Sequence, residues 1–260
     1  TPFPALLEKL GVLPGIKVDA GTKAMALCPG ETITEGLDGL AKRCAEYVKL
    51  GAKFAKWRAV ITISADIPST ACIVANAHAL ARYGAICQAE GLVPIIEPEV
   101  LMDGDHTIER CEQVTDATLR EVFSALASQR VVAEQMILKP SMVISGNTCA
   151  RQAGVAEVAE RTLAVLKRTV PAAVPGIAFL SGGQSDELAT AHLDAMNKLG
   201  GGPWTLSFSY GRALQHAALQ AWRGAAANVP AAQAALLHRA RMNGLAATGK
   251  YSAEQEKKAA

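Results

Sequence analysis

Apolar positions along this chain follow two alternating rhythms. Short dense runs predict strands at 15–19, 54–60, 92–100, 136–143, 175–180 and 204–210. Between them the apolar residues take helical spacing, as Leu37, Leu40, Ala41, Cys44 and Val48 do on one face. That spacing predicts helices over 37–50, 68–90, 116–129, 153–168 and 186–199. A helical tail runs from 213 to 245, broken near Asn228-Val229-Pro230, and the polar stretch 252–260 reads as mobile. Strands that alternate with helices of this length define βα units and a parallel sheet. No repeat of fixed period and no linker divides the chain, so 1–260 reads as a single domain.

Charge inside the strands changes that picture. Met136-Ile137-Leu138-Lys139-Pro140-Ser141-Met142-Val143 places one lysine within an apolar run. A buried amine is costly unless paired. Desolvation, or a second cation, lowers an amine's pKa and frees it to attack a carbonyl. Taken alone, the stretch favours a strand-end lysine reaching out to water. Other strands carry charge too: Lys17 with Asp19, Lys56 with Arg58, Glu97 with Glu99. Members of each pair stand two residues apart, so they project to one side of their strand. This suits the C-terminal mouth of a (β/α) barrel, where strand ends carry the chemistry. Some of these charges must serve as supporting ion pairs; Asp19 and Glu99 are the candidates. The fold class expected is therefore α/β, of the TIM (β/α)8-barrel type, with about six of the eight strands present.

Two βα junctions near the end of the chain suit an anion. Ser181-Gly182-Gly183-Gln184-Ser185 leads from one strand into the next helix, and Ser209-Tyr210-Gly211-Arg212 does the same. Glycines let backbone N–H groups approach a ligand, and a helix start offers unpaired donors. Arg212 adds a bidentate cation. Asp103-Gly104-Asp105-His106 has the look of a metal loop but lacks further ligands at useful spacing, and reads as a turn. His78, His192, His216 and His238 fall within helices and read as surface or packing residues.

Composition narrows the function further. A net charge of +2 gives no electrostatic case for nucleic acid or an anionic membrane. Six scattered cysteines, without zinc spacing, fit free thiols in a reducing cytoplasm. No apolar run is long enough to span a bilayer. The start, Thr1-Pro2-Phe3-Pro4, is not a signal peptide and lacks an initiator methionine.

Six ordered words at the strand ends resemble the class I, Schiff-base fructose-bisphosphate aldolases. They are Gly-Ile-Lys17-Val-Asp19, Phe-Ala-Lys56-Trp-Arg58, Ile-Glu97-Pro-Glu99, Leu-Lys139-Pro, Leu-Ser181-Gly-Gly-Gln-Ser and Phe-Ser209-Tyr-Gly211-Arg212-Ala-Leu-Gln. The resemblance implies that Lys139 forms the imine, Glu97 acts as acid/base, and Lys56 stabilises charge beside the nucleophile. It implies that Lys17 and Arg58 bind sugar phosphate. Ser181, Gly182, Gly211 and Arg212 would hold the second phosphate, with Asp19, Glu99 and Ser209 in support. The activity implied is cleavage of fructose 1,6-bisphosphate to two triose phosphates, without metal or other cofactor, by a cytoplasmic homotetramer of glycolysis and gluconeogenesis. The family carries two more barrel strands ahead of Gly15, one ending in a catalytic aspartate, and often a terminal tyrosine. Nothing here aligns with these, so an N-terminal segment of the natural product is expected to be missing. The alternatives are an inactive or truncated aldolase-like scaffold, or a Schiff-base lyase acting on another phosphorylated ketose.

Overall fold

The computed structural model describes residues 2–259. In chain order its strands are β1 (Gly15–Lys17), β2 (Thr22–Ala24), β3 (Thr32–Thr34), β4 (Phe54–Ile61), β5 (Val93–Val100), β6 (Ile137–Leu138), β7 (Gly176–Phe179) and β8 (Thr205–Phe208). Its helices are α1 (Phe3–Lys9), α2 (Leu40–Lys49), α3 (Thr70–Ala89), α4 (Ile108–Ser128), α5 (Val155–Thr169), α6 (Asp186–Lys198), α7 (Arg212–Trp222) and α8 (Val229–Ala246). Six strands form one parallel sheet in the order β1-β4-β5-β6-β7-β8, and β2 pairs antiparallel with β3. Among the described residues this sheet is an open arc, with β1 and β8 at its edges.

Alternation along the strands separates core from chemistry. In β4, Ala55, Trp57 and Ala59 are buried toward α3, where Trp57 stacks on Tyr83 with ring centroids 5.5 Å apart. In β5, Ile96 is buried against Gly84 of α3. Each such large apolar side chain stabilises the fold by about 1.5–3 kcal/mol. The intervening residues Lys56, Arg58, Glu97 and Glu99 therefore point to the opposite face, as a two-residue period requires. Three helices, α3, α4 and α6, start at side-chain caps: Ser69 accepts from Cys72 N, Thr107 from Arg110 N and Ser185 from Leu188 N. Glu31, buried behind the β2–β3 hairpin, binds both the N–H and the hydroxyl of Ser69 at 2.6 Å, tying hairpin to helix.

Several expectations need correction. The run 136–143 is not one strand: Lys139 N still donates to Ile96 O, but Pro140 has no N–H to continue the ladder. Met142 and Val143 are buried beyond it, with Val143 N bonded to Thr162. α4 begins at Ile108, earlier than 116, because Thr107 caps it there. α1 and the β2–β3 hairpin go unpredicted; the hairpin strands have three residues each, with β2 exposed and β3 half-buried to buried, and are separated by turns. The terminal segment expected to be mobile is packed in part. Glu256 takes a hydrogen bond from the Tyr251 hydroxyl at 3.0 Å and pairs with Arg239 at 2.7 Å and His238 at 2.8 Å.

Candidate active site

Because all six strands are parallel, their C-terminal ends lie on one rim. The register sets Lys17 beside Lys56, Arg58 beside Glu97, and Ile96 beside Leu138. Lys139 thus leaves β6 immediately beyond Leu138, next to the Glu97 strand. Glu97, only 3% exposed, bridges two amines. Its Oε1 lies 3.1 Å from Lys139 Nζ and its Oε2 2.7 Å from Lys56 Nζ. Lys139 is 8% exposed, while the Lys56 side chain is 23% exposed and reaches the open face. A shared carboxylate is what allows two cations to sit this deep.

A second charged tier lies alongside. Arg58 Nε binds Glu99, and this partner raises the guanidinium's pKa above its ordinary value. Glu99 is buried, at the point where Ser141 Oγ links β5 to the Lys139 segment through Val100 N and O, at 2.9 and 2.8 Å. Asp19 is nearly buried and works in three directions. It holds Lys17 Nζ at 2.6 Å, accepts from Gly21 N at 3.1 Å, and accepts from Arg58 N at 3.3 Å.

The glycine loops adjoin this cluster. Leu180 N donates to Pro140 O at 3.1 Å, so the residue after Lys139 is bonded to the residue before Ser181. Ser181 is buried, Gly182 has a left-handed φ of 65°, and Arg212 donates to the Gly182 carbonyl. Ser209 N is bonded to Phe179 O at 2.9 Å, carrying Gly211 and Arg212 to the same rim. A cavity of about 500 Å³ opens between Gly183, Gln184, Arg212 and His216. Beneath the loop, His192 Nδ1 meets Gln184 Oε1 at 2.6 Å, and Gln184 Nε2 donates to the Ser181 carbonyl at 3.1 Å. Burial drives the His192 pKa down to about 4, so its ring is neutral.

The 103–106 segment is a turn. Gly104 N donates to Asn147 Oδ1 at 3.0 Å and His106 O accepts from Gly146 N at 2.8 Å. Among the described residues no group of three or more His, Cys, Asp or Glu is arranged to hold a metal ion. All six cysteines are free thiols. No described helix is long and apolar enough to cross a membrane. Sequence reasoning missed Ser141, Gln184 and Met102, which touch the rim without carrying charge; nothing in their local pattern sets them apart.

A parallel βα sheet whose rim gathers lysines, a buried carboxylate and glycine-rich helix starts is the architecture of a barrel-type enzyme. Comparison with known proteins gives the particular family. Residues 1–260 match the family described as fructose-bisphosphate aldolase class-I. A probable fructose-bisphosphate aldolase class 1 of Xanthomonas campestris is 61% identical over 251 residues, covering 96% of this chain and 75% of its own length. Fructose-bisphosphate aldolase B of Gallus gallus is 53% identical over 251 residues, with 96% of this chain and 69% of the relative covered. The solved aldolase of Plasmodium falciparum, in complex with TRAP and a small-molecule inhibitor, superposes with a TM-score of 0.95 at 48% identity. That match covers 97% of this chain and 73% of the other. The chain belongs to the class I fructose-bisphosphate aldolases, lyases of glycolysis.

Proposed function

We propose that the rim cleaves fructose 1,6-bisphosphate reversibly through a Schiff base on Lys139. The Lys139 amine attacks the ketose C2 carbonyl, and Glu97 passes the protons that turn the carbinolamine into an iminium with loss of water. The iminium draws the C3–C4 bonding pair toward nitrogen as the Glu97 carboxylate takes the C4 hydroxyl proton, which it later returns to C3 of the enamine. Glyceraldehyde 3-phosphate leaves, and the enamine is protonated and hydrolysed to dihydroxyacetone phosphate. Lys56 stabilises charge on the opposite oxygen of Glu97. Lys17 and Arg58 bind one phosphate; Ser181, Gly182, Gly211 and Arg212 bind the other, with Asp19, Glu99 and Ser209 holding these groups in place. The observation that carries the reading is the Glu97 bridge, one buried carboxylate within hydrogen-bond distance of both amines.

The test is borohydride trapping with dihydroxyacetone phosphate, read by mass. The adduct is expected on Lys139 and is expected to vanish in Lys139→Ala. An adduct that persists on Lys17 or Lys56 would overturn the assignment. Since the iminium is itself the electron sink, cleavage is expected to survive EDTA; loss on chelation and recovery with zinc would point to metal-assisted chemistry instead. The family resemblance also supports a cytoplasmic homotetramer, which light scattering tests.

A further inference from the structure

The loop that receives phosphate in this reading has a contact from outside it. Met102 follows β5, and its backbone carbonyl is fixed by Asn147 N at 2.7 Å. Its side chain crosses the rim to the β7 loop, where Gly183 N lies 3.1 Å from the Met102 sulfur. A Cβ on Gly183 would sit 3.0 Å from that sulfur, and one on Gly182 would sit 3.7 Å from it. The sulfur therefore packs on both glycines and occupies the Gly183 donor. The carbonyl side of the same loop is held by Arg212 at Gly182 O and by Gln184 at Ser181 O.

We propose that Met102 is a positioning residue for the phosphate loop, resting on the phosphate role given to Ser181 and Gly182 above. By taking the Gly183 N–H, the thioether turns that donor away from the cavity. The loop is then set so that the Gly182 N–H and the Ser181 hydroxyl are free for the anion. A thioether is a weak acceptor on a flexible stem, so it fixes the loop without a rigid bond. Glycine at 183 keeps this contact, because a Cβ there would meet the Met102 sulfur at 3.0 Å and push the thioether off the loop.

The discriminating measurement compares two ketoses that differ only in the phosphate. Wild type, Met102→Leu and Met102→Ala are trapped with borohydride over a concentration series of dihydroxyacetone phosphate and, separately, of dihydroxyacetone. Met102→Ala is expected to raise the half-saturating concentration of the phosphate ester about two- to fivefold, the scale of one weak hydrogen bond. Half-saturation with dihydroxyacetone stays unchanged. Met102→Leu, close in volume, gives a smaller rise in the same direction and carries the test if the alanine variant does not fold. Equal shifts with both ketoses would mean a general disturbance of the site and would overturn the proposal, as would no shift with either. If wild type forms no adduct with either ketose, the Schiff-base reading fails. The Gly182 and Gly183 amide NMR resonances, titrated with inorganic phosphate, then decide the loop alone. Weaker phosphate binding in the variant supports the proposal, and equal binding or none in wild type overturns it.

Discussion

Two side chains show how much a single position can hold. Glu97 faces two amines at once in a site almost closed to water. Glu97→Gln keeps the shape but leaves Lys56 and Lys139 facing a neutral amide. Breaking a buried ion pair costs about 3–5 kcal/mol. Lys56 is partly solvated and recovers some of that, so a loss of about 2–4 kcal/mol is expected in urea unfolding, together with slowed adduct formation. His192 makes the second case. Its folded pKa of about 4 lies below its ordinary 6.5 because burial disfavours the charged ring. Between those values the unfolded chain binds the extra proton and the folded chain does not, so stability falls as pH drops from 6.5 to 4. The loss of stability from His192 reaches about 3 kcal/mol at pH 4, is complete only below that pH, and is absent above pH 7. Urea midpoints measured across that range should flatten in His192→Asn. At this scale the charged residues were legible, because charge inside an apolar strand is conspicuous. His192, Gln184 and Met102 were not, because a polar or sulfur-bearing residue in a helix or turn looks alike whether it braces a loop or faces water.

Elements were read well where one rhythm persisted and poorly where two competed. β4 and β5 carry eight residues each and fell where alternation put them. β6 keeps only two residues, since Pro140 ends its ladder. The rim loops after β5 and β6 show why such segments escape pattern reading. They are joined by Gly146 N to His106 O, Asn147 N to Met102 O and Thr148 N to Gly104 O, contacts between segments some forty residues apart. Gly146 is the tight point: a Cβ there would lie 2.3 Å from the Gly104 carbonyl oxygen. Backbone cannot swing aside as a side chain can. Gly146→Ala should therefore separate the two loops and destabilise the chain by about 1–3 kcal/mol. Gly15→Ala is the contrasting variant, because its crowding atoms belong to the Phe54 ring, which can rotate. Urea midpoints for the two should differ, with Gly146→Ala the lower. Equal midpoints would show that the rim loops separate at little cost.

The molecule as a whole is an arc whose two ends differ from its middle. The count of six parallel strands followed from the alternation of runs and helices, and the open edges followed from that count. At one edge β1 is short, and α1 beside it in sequence buries no residue, with Phe3 82% and Leu10 70% exposed. At the other, β8 leads to α7 and α8, where Leu219, Trp222 and Leu237 are exposed. Apolar patches and unpaired strand edges contribute little to holding their own segments in place. The centre is different. β4 and β5 pair over eight residues, and Trp57, Ile96 and Tyr83 are fully buried between sheet and α3. Local opening free energy tracks buried apolar contact, so it should be lowest at the two edges and approach the global value at β4–β5. Hydrogen exchange followed by mass spectrometry on the 260-residue chain measures this directly. Peptides covering β1 and β8 are expected to exchange well before those covering β4 and β5, and peptides around Lys139 should fall between. If β1 and β8 proved as protected as β4, the edges would have to be covered in solution. A protein-concentration dependence of that protection would identify a second copy of the chain as the cover.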